Sequence, residues 1–311
     1  METKENNYSL LHRFFIYQKE RFPFLAHGLL ISAFSFSAIS YSRICRGAEG
    51  FVAWPRFLVA IFTTVTLFFL VRVFDEFKDK EDDAMYRKHL PVPRGLIKLK
   101  ELAVLGAIAA VLQITINGIF FPKMLLIYFS VIAYLCLMGK EFFVHEWLKK
   151  HQFWYVVSHM MIIPLIDIYA SGMDWLMEDK KAPTGLLFFF AVSFMNGVVL
   201  EIGRKIKTPE KEEFNTYSTM MGMEKATKLW ILILFITFCV AVAAAWFAGF
   251  GLAGFITLLG FLVLCSLPAV LFLKKKTAKL AKMIEYASAL WTVAMYLSLG
   301  GVPMLMKLLN F

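Results

Sequence analysis

Long apolar runs dominate this chain, and most of them end abruptly in a cluster of charge. The runs lie at 24–42, 51–74, 102–121, 124–139, 153–171, 184–203, 229–249, 251–273 and 285–306. Each is about the length a helix needs to cross the hydrocarbon of a bilayer. They are too long and too evenly apolar for barrel strands, and lipid does not tolerate an open sheet edge. The pattern predicts an all-α integral membrane protein, a bundle of nine transmembrane helices built as two four-helix blocks plus one. A single transmembrane domain over 1–311 is expected, entered through a lead-in at 1–23. In that lead-in Phe14, Phe15, Ile16, Tyr17 and Phe22 stand among Arg13, Lys19 and Arg21, which reads as a short amphipathic segment at the interface.

Composition strengthens the membrane reading. Hydrophobic residues make up 59% of 311 and the mean hydropathy is +0.65, beyond an ordinary soluble domain. Charge adds orientation: most of the 33 Lys and Arg precede the first run or follow the second, fourth, sixth and eighth. The positive-inside rule then places the N-terminus and these loops in the cytoplasm, with a bacterial cytoplasmic membrane as the default location. A net charge of +10 held on one membrane face fits a lipid bilayer as partner and excludes nucleic acid. Cys45, Cys136, Cys239 and Cys265 have no paired spacing, and His145, Glu146 and His151 lack the spacing of a zinc-protease helix.

The chemistry sits where runs end. Asp75, Asp79 and Asp83 follow the second run at four-residue intervals with Glu76 beside them, so a helix stacks three carboxylates on one face. Like charges beside hydrocarbon call for a cation, and oxygen donors at this density suit Mg²⁺, which shares its coordination with substrate phosphate. After the sixth run come Glu201, then Arg204, Lys205 and Lys207, then Glu210, Glu212 and Glu213. The loops at 75–100 and 201–228 are thus candidate active-site loops on one face, four runs apart. That spacing suggests an internal repeat, with carboxylates on either side of one diphosphate. Inside the fifth run, His159 and Asp167 lie two turns apart on roughly one face, with Pro164 as an expected kink. Ionisable groups within a span point to function, as a site for an acceptor or a means of quenching a cation. The other reading is interhelical hydrogen bonding, which also covers Asn117 and Asn196.

These features resemble the UbiA superfamily of intramembrane prenyltransferases. The family's first motif, Asn-Asp-x-x-Asp-x-x-x-Asp, is matched by Asp75, Glu76, Asp79 and Asp83. Its Arg-Pro-x-x-x-Gly segment resembles Leu90-Pro91-Val92-Pro93-Arg94-Gly95, where Arg87, Lys88 and Arg94 bring the charge that Leu90 lacks. Its basic pair between spans four and five resembles Lys149 and Lys150. The second motif departs: Glu201 is its one acidic position and Lys205 takes the next. The resemblance implies Mg²⁺ held by Asp75, Glu76, Asp79, Asp83 and Glu201, with Asp75, Asp79, Asp83 and Glu201 catalytic. Arg87, Arg94, Lys149, Lys150, Arg204 and Lys205 are then expected to contact substrate, with His159 and Asp167 as further candidates. Either the later glutamates or Arg204 and Lys205 stand in for the missing acids. The implied reaction ionises an allylic prenyl diphosphate and passes the prenyl group to a small aromatic or lipophilic acceptor of unknown identity. Two rivals are a UbiA-type terpene cyclase, which needs no acceptor, and a transporter, suggested by the repeat and by Asp167 near mid-membrane.

Overall fold

The computed structural model describes residues 8–211 and 216–309, and every run read from the sequence is helical in it. Eight helical segments are long and apolar enough to cross a membrane: Phe24–Cys45, Trp54–Lys78, Leu99–Phe120, Gln152–Trp175, Gly185–Arg204, Met223–Phe247, Gly251–Lys274 and Ala278–Leu308. Met124–Gly139 is a shorter apolar helix, which completes the nine expected. Among the described residues there is no strand.

In chain order the helices are α1 (Leu10–Arg21), α2 (Phe24–Cys45), α3 (Trp54–Lys78), α4 (Lys80–Tyr86), α5 (Leu99–Phe120), α6 (Met124–Gly139), α7 (His145–Lys150) and α8 (Gln152–Met160). They continue as α9 (Ile162–Trp175), α10 (Gly185–Arg204), α11 (Tyr217–Met221), α12 (Met223–Phe247), α13 (Gly251–Lys274), α14 (Ala278–Tyr296) and α15 (Val302–Leu308). A π-helical turn over Leu297–Gly301 joins the last two.

Two compact units divide the chain. The first takes the residues up to Ser32 with Ala53–Ile162, and the second takes Ala33–Val52 with the residues from Ile163 onward.

In the first unit α3 packs on α5 and α6. Hydrophobic burial gives little drive between helices in lipid, so small residues and polar contacts matter more. Asn117 donates to Thr63 Oγ1 at 3.0 Å, Gln113 donates to Thr66 Oγ1 at 2.6 Å, and the Tyr128 hydroxyl donates to Gln113 at 2.7 Å. Asn117 is therefore an interhelical tie, one of the two readings open for it. Val104, Ile108, Val111, Ile119 and Phe120 of α5 remain exposed, as a lipid-facing side requires. The lead-in does form a helix, α1, with Ser9 as its N-cap.

In the second unit α10 packs against α12 and α14, and α13 against α12 and α14. Close approach needs small residues here: a Cβ on Gly203 would fall 2.0 Å from Ser288 Oγ, and one on Gly300 2.1 Å from the Ser37 carbonyl oxygen. The buried Trp230 indole donates to Val199 O at 3.1 Å and Ser288 Oγ at 3.0 Å. At the end of α2, Arg43 and Arg46 converge on Asp174 and Glu178 of the segment that closes α9.

The span at 152–175 is broken. α8 ends at Met160, Met161 is a turn, and α9 begins at Ile162. Pro164 has no N–H and its ring crowds the carbonyl four residues earlier, that of Met160, so the interruption falls where the proline requires it. His159 lies before this turn, on α8 in the first unit, and Asp167 after it, on α9 in the second.

Candidate active site

The first acidic motif lies wholly within the first unit. Helix α3 runs through the apolar stretch and on through Asp75, Glu76, Phe77 and Lys78. Asp79 leaves helical geometry at φ −88° and ψ 8°, and α4 resumes at Lys80. Backbone bonds nevertheless link Asp79 N–H to Asp75 O at 2.9 Å, Asp83 N–H to Asp79 O at 2.8 Å and Arg87 N–H to Asp83 O at 2.9 Å. The four-residue spacing of the three aspartates thus survives the kink as a continuous ladder.

Their side chains divide into two pairs. Glu76 and Asp83 are buried, at 1% and 2% exposure. Glu76 accepts from Arg21 Nε at 2.7 Å and lies 3.2 Å from Arg72. Asp83 accepts from Arg87 at 2.9 Å and lies 3.8 Å from Arg21. Asp75 and Asp79 are partly open, with side chains 28% and 33% exposed, and they flank the Lys78 ammonium at 3.5 and 3.7 Å. Burial raises the Asp79 carboxyl above the ordinary carboxylate range, with Lys78 opposing the shift and Asp75 adding to it.

Lys78 is itself held. Its ammonium donates to the Tyr155 hydroxyl at 2.9 Å and stands 5.3 Å from the Tyr155 ring centroid. Tyr155 stacks on His159 with centroids 4.0 Å apart, and His159 Nδ1 lies 2.9 Å from the Tyr155 carbonyl oxygen. His159 is therefore brought to the acidic motif through Tyr155 and Lys78. Arg94 forms a bidentate pair with Glu20 at 2.7 and 2.8 Å. The turn that carries it needs Gly95 at φ +82°, where a side chain would be strained. Lys149 and Lys150 are exposed on α7.

In the second unit Glu201 is buried near the end of α10, where it accepts from Arg204 Nε at 2.8 Å and pairs with Lys205 at 2.7 Å. Glu210 is exposed, and Glu212 and Glu213 lie outside the described residues. Asp167 is fully buried on α9, next to Ser193 of α10. Asn196 on α10 is likewise buried and lies against Tyr296 of α14.

Among the described residues no three His, Cys, Asp or Glu side chains converge into a ready-made metal cage. The open donors at the first motif are carboxylate oxygens in the number Mg²⁺ uses when a phosphate completes its shell, one or two, so the residues fit that ion.

A family model described as the UbiA prenyltransferase family matches residues 33–293. This chain belongs to the UbiA prenyltransferase family. A search of curated protein sequences gives no match. A solved structure of a digeranylgeranylglyceryl phosphate synthase aligns with 91% of this chain and 98% of its own, at 16% identity and a TM-score of 0.60. At that identity the likeness is one of fold. Family membership carries membrane prenyl transfer as the class of activity.

Several residues around the UbiA motif are not assigned to it by the sequence: Tyr17 and Arg21, which read as part of the interfacial lead-in, and Arg72, Lys78 and Tyr155. Signals existed for three of them. Arg72 is an arginine within an apolar run, which is costly in lipid unless a partner waits for it. Arg13, Tyr17 and Arg21 recur every four residues, so they share one face of α1.

Proposed function

We propose that this UbiA protein ionises an allylic prenyl diphosphate in a Mg²⁺-dependent step and transfers the prenyl group to a small lipophilic or aromatic acceptor. The observation that supports this most is the pair Asp75 and Asp79. These two carboxylates are partly open, sit at the end of an apolar helix and share one fixed ammonium between them.

The residues divide the work as follows. Asp75 and Asp79 would hold Mg²⁺, which when bound neutralises charge on the departing diphosphate. Lys78, fixed by Tyr155, presents a permanent positive charge beside them, and preorganised charge of this kind is most effective in a site shielded from water. Arg87 and Arg94 add guanidinium groups on the following loop, a geometry suited to phosphate oxygens. At the second motif, Arg204 and Lys205 bind phosphate oxygens with fixed cations, and Glu201 holds those two side chains in place. Lys149 and Lys150 belong to the substrate-contacting set, and His159 and Asp167 are the candidates to orient an acceptor or to take up a proton. The loops 75–100 and 201–228 act as the active-site loops of one transmembrane domain and face the cytoplasm.

The test is to incubate purified protein with geranyl, farnesyl or geranylgeranyl diphosphate, in Mg²⁺ or EDTA, with and without membrane extract, and to extract the organic products. Prenylated acceptor formed only with Mg²⁺ supports transfer. A cyclic terpene formed without an acceptor replaces transfer by cyclisation. No turnover of any of the three overturns the reading.

A further inference from the structure

Helix α1 does more than lead the chain to the membrane. Each residue of its Arg13–Tyr17–Arg21 face binds an acid of the first unit. Arg13 makes a bidentate pair with Glu101 at 2.7 and 2.8 Å and also donates to the Leu96 carbonyl at 3.2 Å. The Tyr17 hydroxyl donates to Glu76 at 3.4 Å. Arg21 Nε donates to the same Glu76 oxygen at 2.7 Å, and another of its nitrogens lies 3.8 Å from Asp83. On the adjacent face Glu20 accepts from Arg94. One short helix is thus tied to α3, α4, α5 and the 87–98 loop.

Glu76 is the member of the first motif that α1 holds most closely. It is almost fully buried and shares its neighbours with an arginine that arrives from elsewhere in the chain. Its second oxygen, Oε2, has no hydrogen-bond partner. It also borders a cavity of about 140 Å³ lined by Glu76, Lys80, Asp83, Ala84, Val92, Pro93 and Leu99. Two buried carboxylates beside Asp75 and Asp79 would repel one another unless a positive charge stood among them. A guanidinium is always charged, hydrogen-bonds in fixed directions and does not exchange with solvent ions.

We propose that Arg21 is the resident counter-ion of the first acidic motif, a positioning residue supplied by α1. It holds Glu76 and Asp83 in place and leaves Asp75 and Asp79 to the exchangeable divalent cation. This rests on reading that motif as the cation-binding side of the site. The two pairs of carboxylates then have different duties, one bound to fixed positive charge and one to Mg²⁺. The amount of divalent cation the folded protein needs is set by an arginine outside the motif.

The test is thermal unfolding of the full chain in detergent, in EDTA and in Mg²⁺, without any prenyl substrate. In EDTA, Arg21→Gln should melt lower than wild type by roughly 5 °C or more, because it takes from buried Glu76 its 2.7 Å charged partner. Mg²⁺ should restore at least half of that loss, a larger gain than wild type shows. Arg21→Lys should stay close to wild type. Arg13→Gln, which loosens α1 without touching Glu76, should lose stability but gain no more from Mg²⁺ than wild type. Equal gains from Mg²⁺ in Arg21→Gln and wild type overturn the proposal, and so does Arg13→Gln matching Arg21→Gln. If Arg21→Gln does not fold, adding Glu76→Gln must restore folding, and failure to do so also overturns it. A wild-type protein that releases no diphosphate would count against the functional reading and leave these melting temperatures unaffected.

Discussion

The Lys78 ammonium donates to the Tyr155 hydroxyl at 2.9 Å, which fixes a positive charge standing between Asp75 and Asp79. The partners lie on different helices, so the position of the charge depends on tertiary packing rather than on the motif alone. Tyr155→Phe keeps the ring and its stacking on His159 but removes this hydrogen bond. A hydrogen bond to a charged group contributes about 1.5–3 kcal/mol, so the melting temperature should fall by a few degrees, and diphosphate release by roughly ten-fold or more as the ammonium loses its fixed position. Steady-state kinetics with thermal unfolding checks this, and unchanged kcat/KM removes Lys78 from the site.

Glu76 and Asp75 are neighbours in sequence with opposite expectations. Glu76→Ala leaves the part-buried Arg21 and Arg72 without their shared acid, so it should cost about 3–5 kcal/mol of stability. Asp75→Ala removes a partly open carboxylate and should leave the melting temperature close to wild type. Comparing the two unfolding curves decides the matter, and equal loss of stability would contradict the division into buried and open pairs.

The second unit has its own test of a buried ion network. Asp174 is fully buried and accepts from Ser42 at 2.7 Å, Arg43 at 2.8 Å and Arg46 at 2.6 and 2.9 Å. Asp174→Asn leaves two guanidinium groups short of one negative charge, for an expected loss of about 3–5 kcal/mol. Thermal unfolding reads this directly, and a loss under about 1 kcal/mol would show that Glu178 alone suffices.

The attachment of α1 should depend on pH. Hydrogen bonding from Arg94 holds the Glu20 carboxyl below its usual 4.5, against an opposing effect of burial. The ionised carboxylate therefore favours the folded state, and its contribution is complete above pH 4.5 and disappears as pH falls through the lowered folded value. The stability difference between wild type and Glu20→Gln should be constant at neutral pH and shrink toward zero in acid. A difference that grows in acid would contradict the pairing.

The helices were legible because hydrocarbon length sets a plain rule, about 20 apolar residues per crossing. Their ends were less so. Hydropathy stops at Phe74, but α3 continues to Lys78, since backbone hydrogen bonding does not end where apolarity ends. The spacing of Asp75, Asp79 and Asp83 was visible from sequence. The burial of Glu76 and Asp83 beneath Arg21 was not, because a contact across 55 residues leaves no local trace. Pro164 announced a break, and the span does turn at Met161.

The most direct measurement is diphosphate release from geranylgeranyl diphosphate and its shorter homologues by wild type, Asp75→Ala and Asp79→Ala, each in Mg²⁺ and in EDTA. The account predicts release by wild type in Mg²⁺ alone, and a fall of about 100-fold or more in both variants while they remain folded. Release that is the same in EDTA, or undiminished in both variants, would contradict it.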